Sequence, residues 1–320
     1  MFDYKKYKKA TYVELDNFQI PKNGNLFYIP SFDKFKIRIG VWENIDSNKE
    51  TRGTVLLQQG HNEFIEKYFE VIDDFLKRGF NVISFDWRGQ GLSGRIIKDK
   101  NKSYIESYDI HDKDLKYILN TIIKPHFQKP LIGVGHSMGG CLMLSAFYDH
   151  NNEFDLGILS CPMLGFKNEI FLKFLSSVGN FLSNSESYLF GSNPNMGKET
   201  PFNENQLTSD EFRYNRTLKM VRKNPNLRLW GITNAFAKSV IKRLKIIRHS
   251  GLIEKIDIKL LVINSLNDEV VDSNKTLRTL RKLQNCQIKN FNNSKHEIFM
   301  EKDEERIKLW KYIDNFLSEI

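Results

Sequence analysis

Apolar and polar positions along the chain follow two rhythms. Phe35, Ile37, Ile39 and Val41 alternate with Lys36, Arg38 and Gly40, the period of a half-buried strand, and residues 25–29 offer it a hairpin partner. Short apolar runs at 54–59, 80–85, 131–134, 156–160, 259–264 and 287–291 read as further strands. Between them apolar residues recur at helical spacing. Ile65, Tyr68, Phe69, Ile72, Phe75 and Leu76 predict a helix closed by Gly79, and Leu115, Ile118, Leu119 and Ile122 predict one capped near Asp109 that ends before Pro125. Leu309, Trp310, Ile313, Phe316 and Leu317 mark a closing helix behind Asp303, Glu304 and Glu305. Strand, helix and strand within some thirty residues form a right-handed βαβ unit, so the sheet is parallel over most of its width.

The alternation stops between about 163 and 247. Phe171, Phe174, Leu175, Val178 and Leu182 outline a helix, residues 183–205 are polar, and Phe236, Val240, Ile241, Leu244 and Ile247 outline another helix. The expected architecture is therefore α/β: a twisted, mostly parallel sheet with helices on both faces, built from 1–162 and 251–320 and interrupted by a helical cap at 163–250. Lys238, Lys242, Arg243, Lys245 and Arg248 surround the second cap helix. Such a helix can lie on an anionic membrane or pack on its own domain, and the sequence favours packing.

Charge changes this picture little. The net charge of +9 comes from lysines spread along all 320 residues, with no dense basic tract of the kind nucleic-acid binding requires. Three cysteines, Cys141, Cys161 and Cys286, have no paired spacing and suit a reducing compartment. The N-terminal residues lack a signal-peptide run and no window approaches a membrane span, so a cytoplasmic protein is expected, at most peripheral on a membrane face.

Candidate chemistry centres on Gly135-His136-Ser137-Met138-Gly139-Gly140. An apolar strand leads in and an apolar helix leads out, so Ser137 is held at the tip of a sharp turn whose glycines remove clashing side chains. A serine hydroxyl needs a base and an acid to orient that base. Asp268, past the strand at 259–264, and His296, after the last strand, follow in the order Ser, Asp, His; Glu269 and Asp272 are the competing acids. His136 reads as a packing residue, and His111, His126, His150 and His249 as structural. For a developing oxyanion the Met138 amide is one donor by position, and the His61 amide, after Gly60 in the loop beyond the first parallel strand, is the best second. No metal-ligand spacing and no phosphate-binding glycine loop is present, so neither metal nor cofactor is expected.

With these motifs in hand, the chain resembles the serine lipase and esterase branch of the α/β-hydrolases that contains monoacylglycerol lipases and bacterial lysophospholipases. The elbow, the loop Asp86-Trp87-Arg88-Gly89-Gln90-Gly91-Leu92-Ser93, the stretch Asp268-Glu269-Val270-Val271-Asp272 and His296-Glu297 carry the likeness. Trp87-Arg88-Gly89-Gln90-Gly91, Pro162-Met163-Leu164-Gly165, Leu207-Thr208-Ser209-Asp210 and Arg213-Tyr214 are more similar to the lysophospholipases. The resemblance implies hydrolysis of a lipid ester through an acyl-enzyme, with Glu63 fixing the oxyanion loop. Gln59 departs from the histidine that many members carry before the loop glycine.

Overall fold

The computed structural model describes residues 2–44, 50–170, 184–192 and 199–318. Among these residues nine strands form one sheet in the order β1-β2-β3-β5-β4-β6-β7-β8-β9. β1 (Lys8–Lys9), β2 (Gly24–Pro30) and β3 (Lys36–Trp42) are antiparallel, and β3 also runs antiparallel to β5 (Phe80–Phe85). From β5 outward, β4 (Gly53–Gln58), β6 (Leu131–His136), β7 (Leu156–Ser160), β8 (Lys259–Ser265) and β9 (Cys286–Phe291) are parallel. The two-residue β1 is the strand that periodicity misses, since two lysines hold no pattern.

The described α-helices are α1 (Phe69–Lys77), α2 (Tyr108–Ile118), α3 (Met138–Asp149), α4 (Glu211–Lys223), α5 (Asn234–His249), α6 (Ser273–Leu280) and α7 (Asp303–Leu317), beside one helical turn at Lys124–His126. They cover both faces because each central strand is apolar on both. Leu56, Ile83 and Phe85 face Leu115, Ile118, Leu142, Phe147, Val240 and Leu244. On the opposite face Val55, Leu57, Val82 and Ile132 meet Ile72, Phe75, Leu309, Ile313 and Phe316. Each such side chain contributes about 1.5–3 kcal/mol by leaving water, which fixes the helices against the sheet.

Two local expectations change. The N-cap of α2 is Ser107, whose hydroxyl accepts from the Asp109 amide, so Asp109 lies inside the first turn. Nor does the helix end before Pro125. Leu119–Ile123 forms a π turn in which the Lys124 N–H reaches the Leu119 carbonyl, and helical backbone continues over Lys124–His126. The wider turn shifts the bonding register just ahead of the residue that has no N–H to give.

Between β7 and β8 the chain carries α4 and α5. α5 buries Phe236, Val240, Leu244 and Ile247 in the apolar cluster over α2 and α3, and Arg243, itself buried, donates to the Ser145 hydroxyl at 2.7 Å and pairs with Asp112. Its basic residues thus partly serve packing. The helix foreseen at Phe171, Phe174, Leu175, Val178 and Leu182 lies outside the described residues. Among those described, no helix is long and apolar enough to cross a membrane.

Candidate active site

β6 ends at His136 and α3 starts at Met138, leaving Ser137 alone to reverse the chain. Its backbone has φ 50° and ψ −115°, a region costly to any residue with a Cβ, on the order of 1–3 kcal/mol. The surroundings enforce it. Ser137 N–H donates to the Ser160 carbonyl at 3.0 Å, and the Ser137 carbonyl accepts from Cys141 at 3.0 Å and Met163 at 2.9 Å. A Cβ on Gly135 would stand 2.8 Å from Gly140, and one on Gly139 would stand 2.5 Å from the Gln59 carbonyl oxygen, so α3 lies directly on strand backbone.

The turns after β8 and β9 bring the two partners to this serine. His296 Nε2 is 2.9 Å from Ser137 Oγ, and His296 Nδ1 is 2.6 Å from Asp268 Oδ2. The other oxygen, Asp268 Oδ1, accepts from the amides of Val270 at 2.8 Å and Val271 at 2.9 Å. Burial alone would raise this carboxyl, yet the His296 hydrogen bond and charge and the two amides outweigh it and hold Asp268 below its usual range. Ser137, Asp268 and His296 are 7 %, 4 % and 3 % exposed, so the relay sits in a poorly hydrated setting. Of the competing acids, Asp272 instead caps α6 by accepting from the Lys275 amide, and Glu269 is exposed.

The loop after β4 approaches from the other side. Gly60 N–H donates to Glu63 Oε2 at 2.5 Å, and Trp87 Nε1 donates to the Gln59 carbonyl at 3.0 Å. Among the described residues the His61 amide donates to no protein acceptor. The Met138 amide, first in α3, has no carbonyl within the helix to bond. The His61 ring contacts Ser103 Oγ through Nε2 at 2.5 Å and lies 4.4 Å from the Phe236 ring; burial lowers its pKa to about 4. His136 is held by the Ser160 carbonyl at Nδ1, 3.1 Å away, its ring 4.7 Å from that of His296, and burial lowers it to about 3.

Sequence reasoning missed a second buried cluster. Lys67 Nζ donates to Glu63 Oε1 at 2.7 Å and to Glu297 Oε1 at 2.6 Å, while Tyr68 OH donates to Glu63 Oε2 at 2.7 Å. Burial would raise Glu63, but the charges of Lys67 and His136 outweigh it and bring the carboxyl to about 2. Glu297 moves up instead, through burial against the pull of Lys67. The Glu63 to Lys67 spacing of four residues was the available signal. Cys161, which the sequence offered no reason to place near the site, has its sulfur within 4.8 Å of ligand atoms of Asp268 and His296. Positions 161, 268 and 296 have no motif spacing, and the donors of Asp268 and His296 are already bonded to each other.

Comparison with known proteins identifies the family. The family described as Serine aminopeptidase, S33, matches residues 49–303. The probable lysophospholipase L2 of Haemophilus influenzae is 27 % identical over 302 residues, which is 91 % of this chain and 94 % of that protein. The monoglyceride lipase of Saccharomyces cerevisiae is 30 % identical over 138 residues, 42 % of this chain and 43 % of that one. A crystal structure of a soluble variant of that yeast enzyme with a substrate analogue superposes with a TM-score of 0.71 at 19 % identity, covering 92 % of this chain and 95 % of that one. The match spans the elbow, the acid and the histidine, and on that ground the chain belongs to the serine aminopeptidase S33 family, built on the α/β-hydrolase fold.

Proposed function

We propose that the protein is a serine ester hydrolase that removes the acyl chain of a monoacyl lipid, foremost a lysophospholipid. The observation that carries this reading is the relay in which His296 bonds Ser137 at 2.9 Å and Asp268 at 2.6 Å. Ser137 Oγ attacks the ester carbonyl while His296 Nε2 takes its proton, and Asp268 holds the Nδ1 proton and stabilises the imidazolium. The Met138 and His61 amides receive the oxyanion; losing one such donor costs about 3 kcal/mol of transition-state stabilisation. His296 then protonates the departing alcohol, and the acyl-enzyme is hydrolysed by water through the same relay run again.

The choice of lipid rests on the relatives named lysophospholipase L2 and monoglyceride lipase. The segment 163–250 acts as the cap in this reading, contributing the channel that receives the acyl chain, with its lysines and arginines available to a phosphate head group. Free thiols at Cys141, Cys161 and Cys286 fit a cytoplasmic enzyme that meets its lipid at an anionic membrane face. Turnover of lysophospholipid, monoacylglycerol and a short soluble ester, measured side by side with Ser137→Ala, tests the reading. Lysophospholipid should be preferred, and all turnover should vanish in the variant. Preference for the soluble ester overturns the lipid assignment, and full activity of Ser137→Ala overturns the nucleophile.

A further inference from the structure

The oxyanion loop is gripped on both sides of His61 by one other loop, the stretch that leaves β5. Trp87 Nε1 holds the Gln59 carbonyl on one side at 3.0 Å. On the other side Gln90 Oε1 accepts from the Asn62 N–H at 2.6 Å, which turns the opposite end of the same carboxamide, Nε2, toward Met138 Sδ at 3.6 Å. Gln90 and Met138 are buried, at 3 % and 0 % exposure. One side chain therefore touches Asn62, which follows His61, and Met138, the two residues whose positions govern the oxyanion donors.

The turn it braces needs bracing. Asn62 has φ 61°, a left-handed conformation that a residue with a Cβ adopts at a cost. Its side chain is clamped as well, donating through Nδ2 to the Leu229 carbonyl at 3.0 Å and accepting at Oδ1 from the Leu229 amide at 2.5 Å. The Asn62 peptide thus keeps its orientation because Gln90 holds its N–H and Leu229 holds its side chain. The His61 amide, one residue earlier in the same turn, is the group whose direction depends on that.

We propose that Gln90 is a positioning residue for the oxyanion hole, its carboxamide bracing the Asn62 turn against Met138 so that the His61 and Met138 amides converge. This inference rests on the reaction proposed above. The neutral, two-ended amide is what the place demands: an acceptor for an N–H at one end and a donor toward a weakly accepting sulfur at the other.

Gln90→Met keeps the length of the side chain and removes both polar ends. It should lower kcat by about 10- to 100-fold, less than the loss of a whole donor, with KM within about twofold of wild type. The affinity of a long-chain trifluoromethyl ketone, whose serine adduct places an oxyanion in the same site, should fall in parallel, while the melting temperature changes little. A merely structural role would move the melting temperature and leave the ketone affinity in step with KM. Should Gln90→Met fail to fold, Gln90→Asn stays polar and withdraws the acceptor from Asn62; it should show the same pattern, reduced. Wild-type kcat and ketone affinity in either folded variant overturn the proposal, as does a kcat loss that leaves ketone affinity intact. If turnover is lost in Ser137→Ala yet normal in the Gln90 variants, this inference alone fails; if turnover persists in Ser137→Ala, the proposed function fails with it.

Discussion

Asp268 meets His296 at 2.6 Å, and one residue further along the chain Glu297 meets Lys67 at the same distance. Both pairs are buried, and each acid belongs to a network with further partners. They differ in the nitrogen group that each acid faces. Lys67 lies between Glu63 and Glu297, whose charges outweigh burial and raise its pKa, so it holds its proton throughout the working range. His296 instead offers two ring nitrogens, one toward Asp268 and one toward the Ser137 hydroxyl, and an imidazole nitrogen can act as acceptor or donor. Similar lengths and similar burial therefore produce a proton relay in one place and a clamp in the other, and what separates them is the side chain rather than the geometry.

Perturbing each pair should break this contrast open. Asp268→Asn leaves the shape of the relay and removes the charge that holds the imidazole tautomer; kcat should fall about 10⁴-fold with the fold retained, as steady-state kinetics and near-ultraviolet dichroism would show. Lys67→Met should act on stability. It strands Glu63 and Glu297 without their cation, and urea denaturation should register a loss of about 3–5 kcal/mol, part of which Glu297→Gln in the same chain restores. A Lys67→Met protein as stable as wild type would mean that the second cluster holds nothing.

A comparable effect, spread over pH, follows from buried neutral histidines. Burial lowers both His111 and His136 from 6.5 to about 3. The unfolded chain binds their protons first, so the stability they contribute is complete above pH 6.5 and is lost as pH falls from there toward 3, at about 1.4 kcal/mol per pH unit for each histidine. Denaturant midpoints at pH 7, 6 and 5 should decline accordingly, and flat midpoints would contradict the burial of neutral rings. Glu297→Gln is the mildest test. Lys67 keeps Glu63, and with one hydrogen bond of about 1 kcal/mol weakened, kcat should stay within about fivefold of wild type.

The two described helices between β7 and β8 show why part of the chain was legible and part was not. α5 presents Phe236, Val240, Leu244 and Ile247 at helical spacing and is readable, because what seats it is apolar area. α4 is seated by Arg213, which bonds Glu70 at 2.6 Å and Asp210 at 2.8 Å, and by Arg216, which bonds Glu70 at 2.7 Å. Its buried residues are Arg213, Tyr214, Arg216, Leu218 and Met220, so two arginines interrupt the apolar spacing and periodicity passes over it. The same division holds at the site. Ser137, Asp268 and His296 stand at strand ends, and strands are visible as apolar runs. Gln90 and Cys161 join them through contacts between segments far apart in the chain, which no local pattern encodes, and for Lys67 only the four-residue spacing from Glu63 gave a local sign.

Ser137 precedes His296 by 159 residues in the chain. The turn at Ser137 is shaped by β6, β7 and the loop after β4, while Asp268 and His296 follow β8 and β9 at the far edge of the sheet. A chain cut before β8 would therefore lack both side chains that line up behind Ser137.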